Sequence, residues 1–468
     1  MKTDLSHLSH AQKDELIHAL EAQVQALTGQ LLTLQKVVEK LQGQLALNSK
    51  NSSKPPSSDG LNKPKPKSLR TAGQRPSGGQ KGHQGQTLWQ TQKPDFIETH
   101  MPAEFCDLCQ CSLTAAEVVE TRQVFDIPVV AAQVTEHRQL QARCTCGKLH
   151  RGEFPEQVSA SVQYGPVVKA AMVHLTQHHM LPLQRTAELI GDFFGLNVSQ
   201  ATVLKTVDEG AGQLISTVEN IKQAVQASPV AGADETGMRV DKKLHWLHVA
   251  VTEHLTVLGS HAKRGQEAFD ALGILPNFQG TLIHDGWRPY RALNCQHGLC
   301  NAHHLRELTY LFEEQQHEWA SNMIDLLKYA SYQPSAVDSV RLGHMRYAYD
   351  CILAEGFMLY PQVEPQGTRR RVKQSKATNL LLRLREYADD VWRFMSDPEV
   401  PFSNNWAEQA VRMPKVKQKV SGGFRTANGL ESFCIIRSYL ATLQKQGANL
   451  FDALVKTFQG SPPQPRFS

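Results

Sequence analysis

The chain lacks any run of 18 apolar residues, so nothing in it reads as a membrane-spanning helix, and no membrane partner is expected. Its opening stretch, "MKTDLSHLSHAQKDEL", has no apolar signal core, so export is not expected and the location is read as cytoplasmic, near the nucleoid. Nine cysteines are an odd number for a protein of that compartment, which favours metal ligation and free thiols over disulfides. Aromatic residues make up only 7%, but 41% hydrophobic and 20% charged residues still describe a globular chain. Acid is nearly missing from one segment: between Asn51 and Pro94, eight Lys or Arg face a single acid, Asp59. The net charge of +5 alone says little about partners. At 468 residues the chain is too long for one core, and roughly two to four domains are expected.

Residues 15–47 carry heptads. Leu20, Leu27, Leu34 and Leu41 fall every seven residues, with Ile17, Val24, Leu31, Val38 and Leu45 on the alternate seam position. So narrow a stripe needs a partner helix, and Leu at d with mostly β-branched a positions favours a parallel dimer. Residues 1–48 are therefore predicted as a coiled-coil dimerisation helix, the alternative being a helix packed on its own domain. Residues 49–98, rich in Pro, Ser, Gly and Lys, read as a basic flexible linker. Lys63, Lys65, Lys67 and Arg70 are its candidate contacts to a phosphate backbone, and a solubilising linker is the plainer reading.

Residues 99–156 hold "FCDLCQC" and "RCTCGKLH". Cys106, Cys109, Cys144 and Cys146 are candidate thiolate ligands of one structural Zn²⁺, while Cys111 and the tight second spacing leave the ligand set open. "RQVFDIPVV" and "QVTEHRQLQAR" alternate enough to be strands joining the two knuckles. Residues 157–225 are predicted helical. Leu183, Ala187 and Ile190 share one apolar face, Gly195 breaks the helix, and Ser199 caps a second helix carrying Val203 and Val207. That order is the helix-turn-helix pattern, a candidate DNA-binding element, although many helical hairpins share it. His174 and His178 are four apart and read as an ordinary helix face.

After Pro229 the texture turns to strands: "VAGADETGMRV", "KLHWLHVAVTEH" and "TVLGSHAKRG", then the helix "QEAFDALGIL" and a fourth strand ending in "GTLIHDGWRPY". Three strands, a helix and a fourth strand fit the start of an RNase H-like fold, with first and fourth strands as neighbours. Asp234 then lies on the first strand and Asp285 just past the fourth, 51 residues later. Asp285 before Gly286 is either turn chemistry or a ligand. Glu408, in a helix capped by Ser403 or Asn404, is the third candidate acid, 123 residues further on. Three carboxylates suit two Mg²⁺ ions about 4 Å apart, which activate a nucleophile and stabilise a leaving oxygen at a phosphodiester. Arg412, Lys415, Lys417, Lys419 and Arg425 follow Glu408 as candidate phosphate contacts.

These motifs, in order, resemble the insertion sequence 66 family of bacterial DDE transposases. "NSKNSSKPPSSDG", "RPSGGQKGHQGQTL", the cysteine knuckles, "DETGMRV", "HDGWRPY", "NNWAEQAVR", "QKVSGGFRT" and "IRSYLATLQKQG" carry the resemblance over nearly the whole chain. It implies Asp234, Asp285 and Glu408 as catalytic, Mg²⁺-holding acids. It also implies strand cleavage and transfer at the ends of a mobile element, with double-stranded DNA as partner. "LCNAHHLREL", with Cys300 and His303, resembles a C-x2-H feature of several DDE families, its role here open. Ser403 stands where the family more often has Asp.

The expected fold is multidomain α+β: a coiled coil, a zinc unit, a helical DNA-binding region, and an RNase H-like core in two parts (226–312 and 396–445) around a helical insertion (313–395), with a tail at 446–468. A homodimer or larger assembly is expected, and accessory proteins are left open. The competing reading is a dimeric zinc-containing DNA-binding regulator with an inactive core. A plain nuclease of the same fold is a third reading, which the N-terminal dimer and DNA-binding segments argue against.

Overall fold

The computed structural model describes residues 9–48, 51, 88, 90–113, 117–126, 132–333, 338–364 and 372–467. Lys63, Lys65, Lys67 and Arg70 lie outside the described residues. The N-terminal heptads form one helix, α1 (His10–Leu45). Its seam is open to solvent, with Leu20, Leu27, Leu34 and Leu41 each more than half exposed.

In the cysteine unit the only strands among the described residues are a short hairpin, β1 (Gln141–Arg143) and β2 (Leu149–Arg151). Of the strand expected over "RQVFDIPVV", residues 122–126 are irregular and the rest lies outside the described residues, while "QVTEHRQLQAR" enters a ladder only at its last three residues. Both stretches are largely exposed and have no third chain segment to pair with among the described residues, so their alternation has no sheet to serve.

A helical layer follows: α2 (Pro166–Val173), a π turn at His174–His178, α3 (Leu183–Phe194) and α4 (Gln200–Ala227). As expected, α3 ends on Gly195 in the left-handed region and the Ser199 hydroxyl accepts the Thr202 N–H at 3.0 Å. The histidine face is not ordinary. The π turn brings His179 Nε2 to 3.1 Å from His174 Nε2, stacks His174 on His178, and sets His178 Nδ1 3.3 Å from the Arg437 guanidinium. Spacing of four is a guide only while the helix keeps its α geometry.

The central sheet has five strands: β3 (Val230–Val240), β4 (Lys243–Val251), β5 (Thr256–His261), β6 (Thr281–His284) and β7 (Gln296–Leu299), in the order β5-β4-β3-β6-β7. β3, β4 and β5 form an antiparallel meander, and helix α5 (Gln266–Leu272) carries the chain back to place β6 parallel to β3. β7, which the sequence reading missed, pairs parallel to β6.

The chain then runs through α6 (Asn301–Gln315), α7 (Glu318–Ser331), α8 (Ser339–Leu359), α9 (Lys376–Glu386), α10 (Ala388–Val391) and α11 (Arg393–Ser396). Leu308, Trp319, Met323, Tyr349 and Leu381 make an apolar cluster there that continues into Ile283 of β6 and Leu299 of β7. α12 (Asn405–Ser421), α13 (Ala427–Lys445) and α14 (Leu450–Phe458) complete the described chain. α13 packs with α4 through Leu214, Ile436, Tyr439 and Leu440. It also covers the edge of the sheet: the Leu258 N–H donates to Ser438 Oγ at 2.8 Å and the Thr256 N–H to Thr442 Oγ1 at 3.0 Å. Those hydroxyls satisfy backbone donors that an open edge strand would offer to another chain.

Several imidazoles are buried without a countercharge. Burial pushes His248, on β4, down to about 4 from its ordinary 6.5. Unfolded, such a group takes up its proton near pH 6.5; folded, it resists down to about 4. Stability held at neutral pH is therefore lost as pH falls through 6.5 towards 4. Thermal melts followed by circular dichroism should show a falling Tm between pH 7 and pH 5, with a shallower slope in His248→Leu.

Candidate active site

The sheet register builds the site. β3 and β6 pair with Gly232 opposite Ile283. Two residues further along each strand are Asp234 and Asp285, so parallel pairing brings the two acids to the same level, one strand apart. Side chains alternate on β3. Ala231 and Ala233 face the α5 side with Tyr290, while Met238 and Val240 face α12 and its Ala407. Asp234 shares the parity of the second set and turns towards α12.

Asp285 does form a turn. Gly286 has φ +89°, in the left-handed region that favours glycine, and the Trp287 N–H donates to Asp285 Oδ1 at 2.8 Å. The turn occupies one carboxylate oxygen and leaves the exposed second oxygen available. Asp234 is held in the same way: the Glu235 N–H donates to its Oδ1 at 2.8 Å.

Glu408 comes from the first turn of α12, and α12 is fastened to β3. Neither Ser403 nor Asn404 caps the helix with its side chain, contrary to expectation. Instead Asn404 is buried and its Nδ2 donates to the Ala233 carbonyl at 2.7 Å, while its N–H donates to Cys300 Sγ at 3.1 Å. Asn404 is thus spent on joining helix to strand. Further along, Lys415 Nζ donates to the Gly237 carbonyl at 2.7 Å.

Asp234 is perturbed by its surroundings. Asp234 is pushed up to about 7, most by burial, then by the Glu235 carboxylate, with Asp285 and Glu408 adding to it. The oxygens of the three do not all lie within 4.8 Å of one another. Glu235, on the other face of β3, has its own partners: the Tyr290 hydroxyl donates to it, and Arg264 Nε donates to its Oε1 at 2.9 Å. The Arg264 guanidinium lies 3.9 Å from the Trp287 ring centroid and 4.7 Å from that of Trp246. Sequence reasoning missed this support, whose one visible sign was a second acid beside Asp234.

Residues 161–432, more than half of the chain, match the family described as Transposase IS66 family. The chain belongs to that family. The matched span contains all three acids, and the cysteine unit lies outside it. Residues 7–88 match a family of unknown function, DUF6444. No curated protein matches the chain.

Other expected site residues of this IS66-family chain fall in different places. Arg412, Lys419 and Arg425 are exposed. Lys415 is turned to Gly237, and Lys417 lies over the Phe424 and Phe433 rings at 5.4 and 5.7 Å, pushed down to about 8 by burial. In the cysteine unit, Cys106 is held below its ordinary value chiefly by the backbone amides of Cys109 and Leu108, and Cys144 chiefly by that of Cys146. Each knuckle thus favours thiolate, but no three of these cysteines come within 4.8 Å of one another. Cys300, His303 and Glu408 do meet at that distance.

The contact between β3 and α12 is tight at Gly232, where a Cβ would sit 2.3 Å from Asn404 Oδ1. Gly232→Ala should cost about 1–3 kcal/mol by overpacking. Asn404→Ala removes the obstructing side chain, so in urea unfolding the double variant should lose less stability than the two single losses combined.

Proposed function

We propose that this IS66-family chain is a DDE-type transposase that cuts and joins DNA strands at the ends of a mobile element. The observation carrying this reading is geometric: the β3–β6 pairing brings Asp234 and Asp285 to one level on neighbouring strands, and the Asn404 bridge fastens the helix bearing Glu408 to β3. The sheet order, with the first acid's strand beside the second's, supports an RNase H-like core. A regulator with a dead core would leave that convergence unexplained.

The donor set suits Mg²⁺. It is all carboxylate, hard, and partly free of internal hydrogen bonds. Asp234, pushed up to about 7 by burial first and by neighbouring carboxylates second, would be favoured in its charged form by a bound cation. Acids too widely spaced to share one small shell match a pair of ions better than one. Asp234, Asp285 and Glu408 would hold them, and when bound the ions supply Lewis-acid activation and charge neutralisation at a phosphodiester. The protein's own part is positioning. The β3–β6 register fixes the aspartates, the Asn404 bridge fixes the helix bearing Glu408, and the Tyr290 and Arg264 contacts keep Glu235 occupied on the other face of the strand.

DNA is the partner of this reading. Exposed Arg412, Lys419 and Arg425 are the proposed phosphate contacts near the acids, with Lys63, Lys65, Lys67 and Arg70 of the linker added along the duplex. Lys415 and Lys417 instead hold α12 in place. The α3–α4 pair is the proposed reader of the element ends, and Cys106, Cys109, Cys144 and Cys146 the proposed ligands of a structural Zn²⁺. The exposed leucine seam of α1 is proposed to pair two subunits, one for each end.

Mg²⁺-dependent nicking of duplex carrying the element's end sequence tests the assignment. Asp285→Asn should reduce it at least about a hundredfold, the scale lost with one group that stabilises transition-state charge; undiminished cutting rejects it. Sedimentation tests the seam: Leu27→Asp with Leu34→Asp should shift a dimer to monomer and leave the melting of the remaining chain unchanged.

A further inference from the structure

Cys300, His303 and Glu408 form a second donor set, distinct from the three acids except for its shared glutamate. One ligand atom from each lies within 4.8 Å of the others: Cys300 Sγ is 4.0 Å and His303 Nδ1 3.9 Å from Glu408 Oε1. The fold sets these residues with care. Cys300 begins α6 and is fully buried, while His303 follows in the first turn. Its Nδ1 is buried and makes no hydrogen bond. A buried imidazole nitrogen that faces a carboxylate and a thiol with no hydrogen bond among the described residues is costly unless something else fills the gap.

The geometry points to a binding site for a borderline transition-metal cation of the Zn²⁺ class at Cys300, His303 and Glu408, and we propose that its occupancy withdraws Glu408 from the acid triad. Sulfur, imidazole nitrogen and a single carboxylate oxygen select such ions over Mg²⁺, which keeps to oxygen. A tetrahedral ion with bonds of about 2.0–2.3 Å sets its donors roughly 3.3–3.8 Å apart, so closure needs movements under about 1 Å. As the sulfur–metal bond forms, the Sγ–H proton leaves to solvent. The Arg306 guanidinium, 3.4 Å from Glu408 Oε2, opposes the incoming cation and holds the other oxygen away from it. The site would therefore be weaker than a four-ligand structural one and fill only when such ions are abundant. The inhibitory part rests on the transposase reading above; the binding part does not.

The test uses the full chain in excess Mg²⁺, titrated with Co²⁺, whose bond to thiolate gives a charge-transfer band. The cysteine knuckles contribute bands of their own, so the readout is wild type minus Cys300→Ser. Serine still accepts the Asn404 N–H, and His303→Gln, which leaves that contact untouched, serves as the second variant. A stoichiometric difference band, lost in both variants, is expected. Zn²⁺ added to Mg²⁺-dependent nicking should inhibit wild type, with at least about tenfold more Zn²⁺ needed for either variant, since even outer-shell changes cost a site that much. Identical Co²⁺ spectra in wild type and Cys300→Ser overturn the site. Equal Zn²⁺ sensitivity overturns the sharing of Glu408. If wild type cuts no DNA under any condition, the transposase reading fails and the difference spectrum still decides the metal site.

Discussion

The parallel pairing of β3 with β6 is the constraint on which the site depends. Three register pairs, Val230 with Thr281, Ala231 with Leu282 and Gly232 with Ile283, bring two acids 51 residues apart to one level. Parallel neighbours need a crossover, and β4, β5 and α5 supply it. A slip of one residue would turn Asp234 from the α12 side to the side of Tyr290 and Phe269, and Glu235 would take its place. The alternation of Ala231 and Ala233 against Met238 and Val240, each set buried in a different cluster, resists that slip.

Bringing carboxylates together is unfavourable, and the surroundings show how the fold sustains it. The closest like charge, Glu235, is neutralised by Arg264 and bonded by Tyr290 on the far face. The acids that remain are each tied by one backbone N–H or by Arg306, which fixes their direction. α12 is held to the sheet by polar links at two points along its length, Asn404 and Lys415, and by the Ala407 contact between them. The carboxyl of Asp234 is still raised, by burial first and by the neighbouring carboxylates after it.

Much of this was legible in the sequence because short-range rules govern it. The meander, the return helix and the strand before Asp285 all appear where the alternation and the breaks predict them, and Gly195 and Ser199 punctuate α3 and α4 as written. The misses share one cause, contact between distant segments. Asn404 looked like a helix cap because capping is a local habit, yet Ala233 and Cys300 compete for it from 171 and 104 residues away. Lys415 and Lys417 read as candidate phosphate contacts, and the structure turns them to the Gly237 carbonyl of β3 and to the Phe424 ring. The π turn at His174 changes which histidines meet, and no spacing rule anticipates an inserted residue. Between the knuckles only residues 141–143 became a strand, because alternation without a partner strand specifies nothing.

The central claim is that Asp234, Asp285 and Glu408 surround one site for a pair of hard cations. Anomalous diffraction from crystals grown with Mn²⁺ tests it most directly. The account expects two peaks about 4 Å apart, bounded by those three carboxylates. Density for Mn²⁺ elsewhere, with none between Asp234 and Asp285, would contradict it.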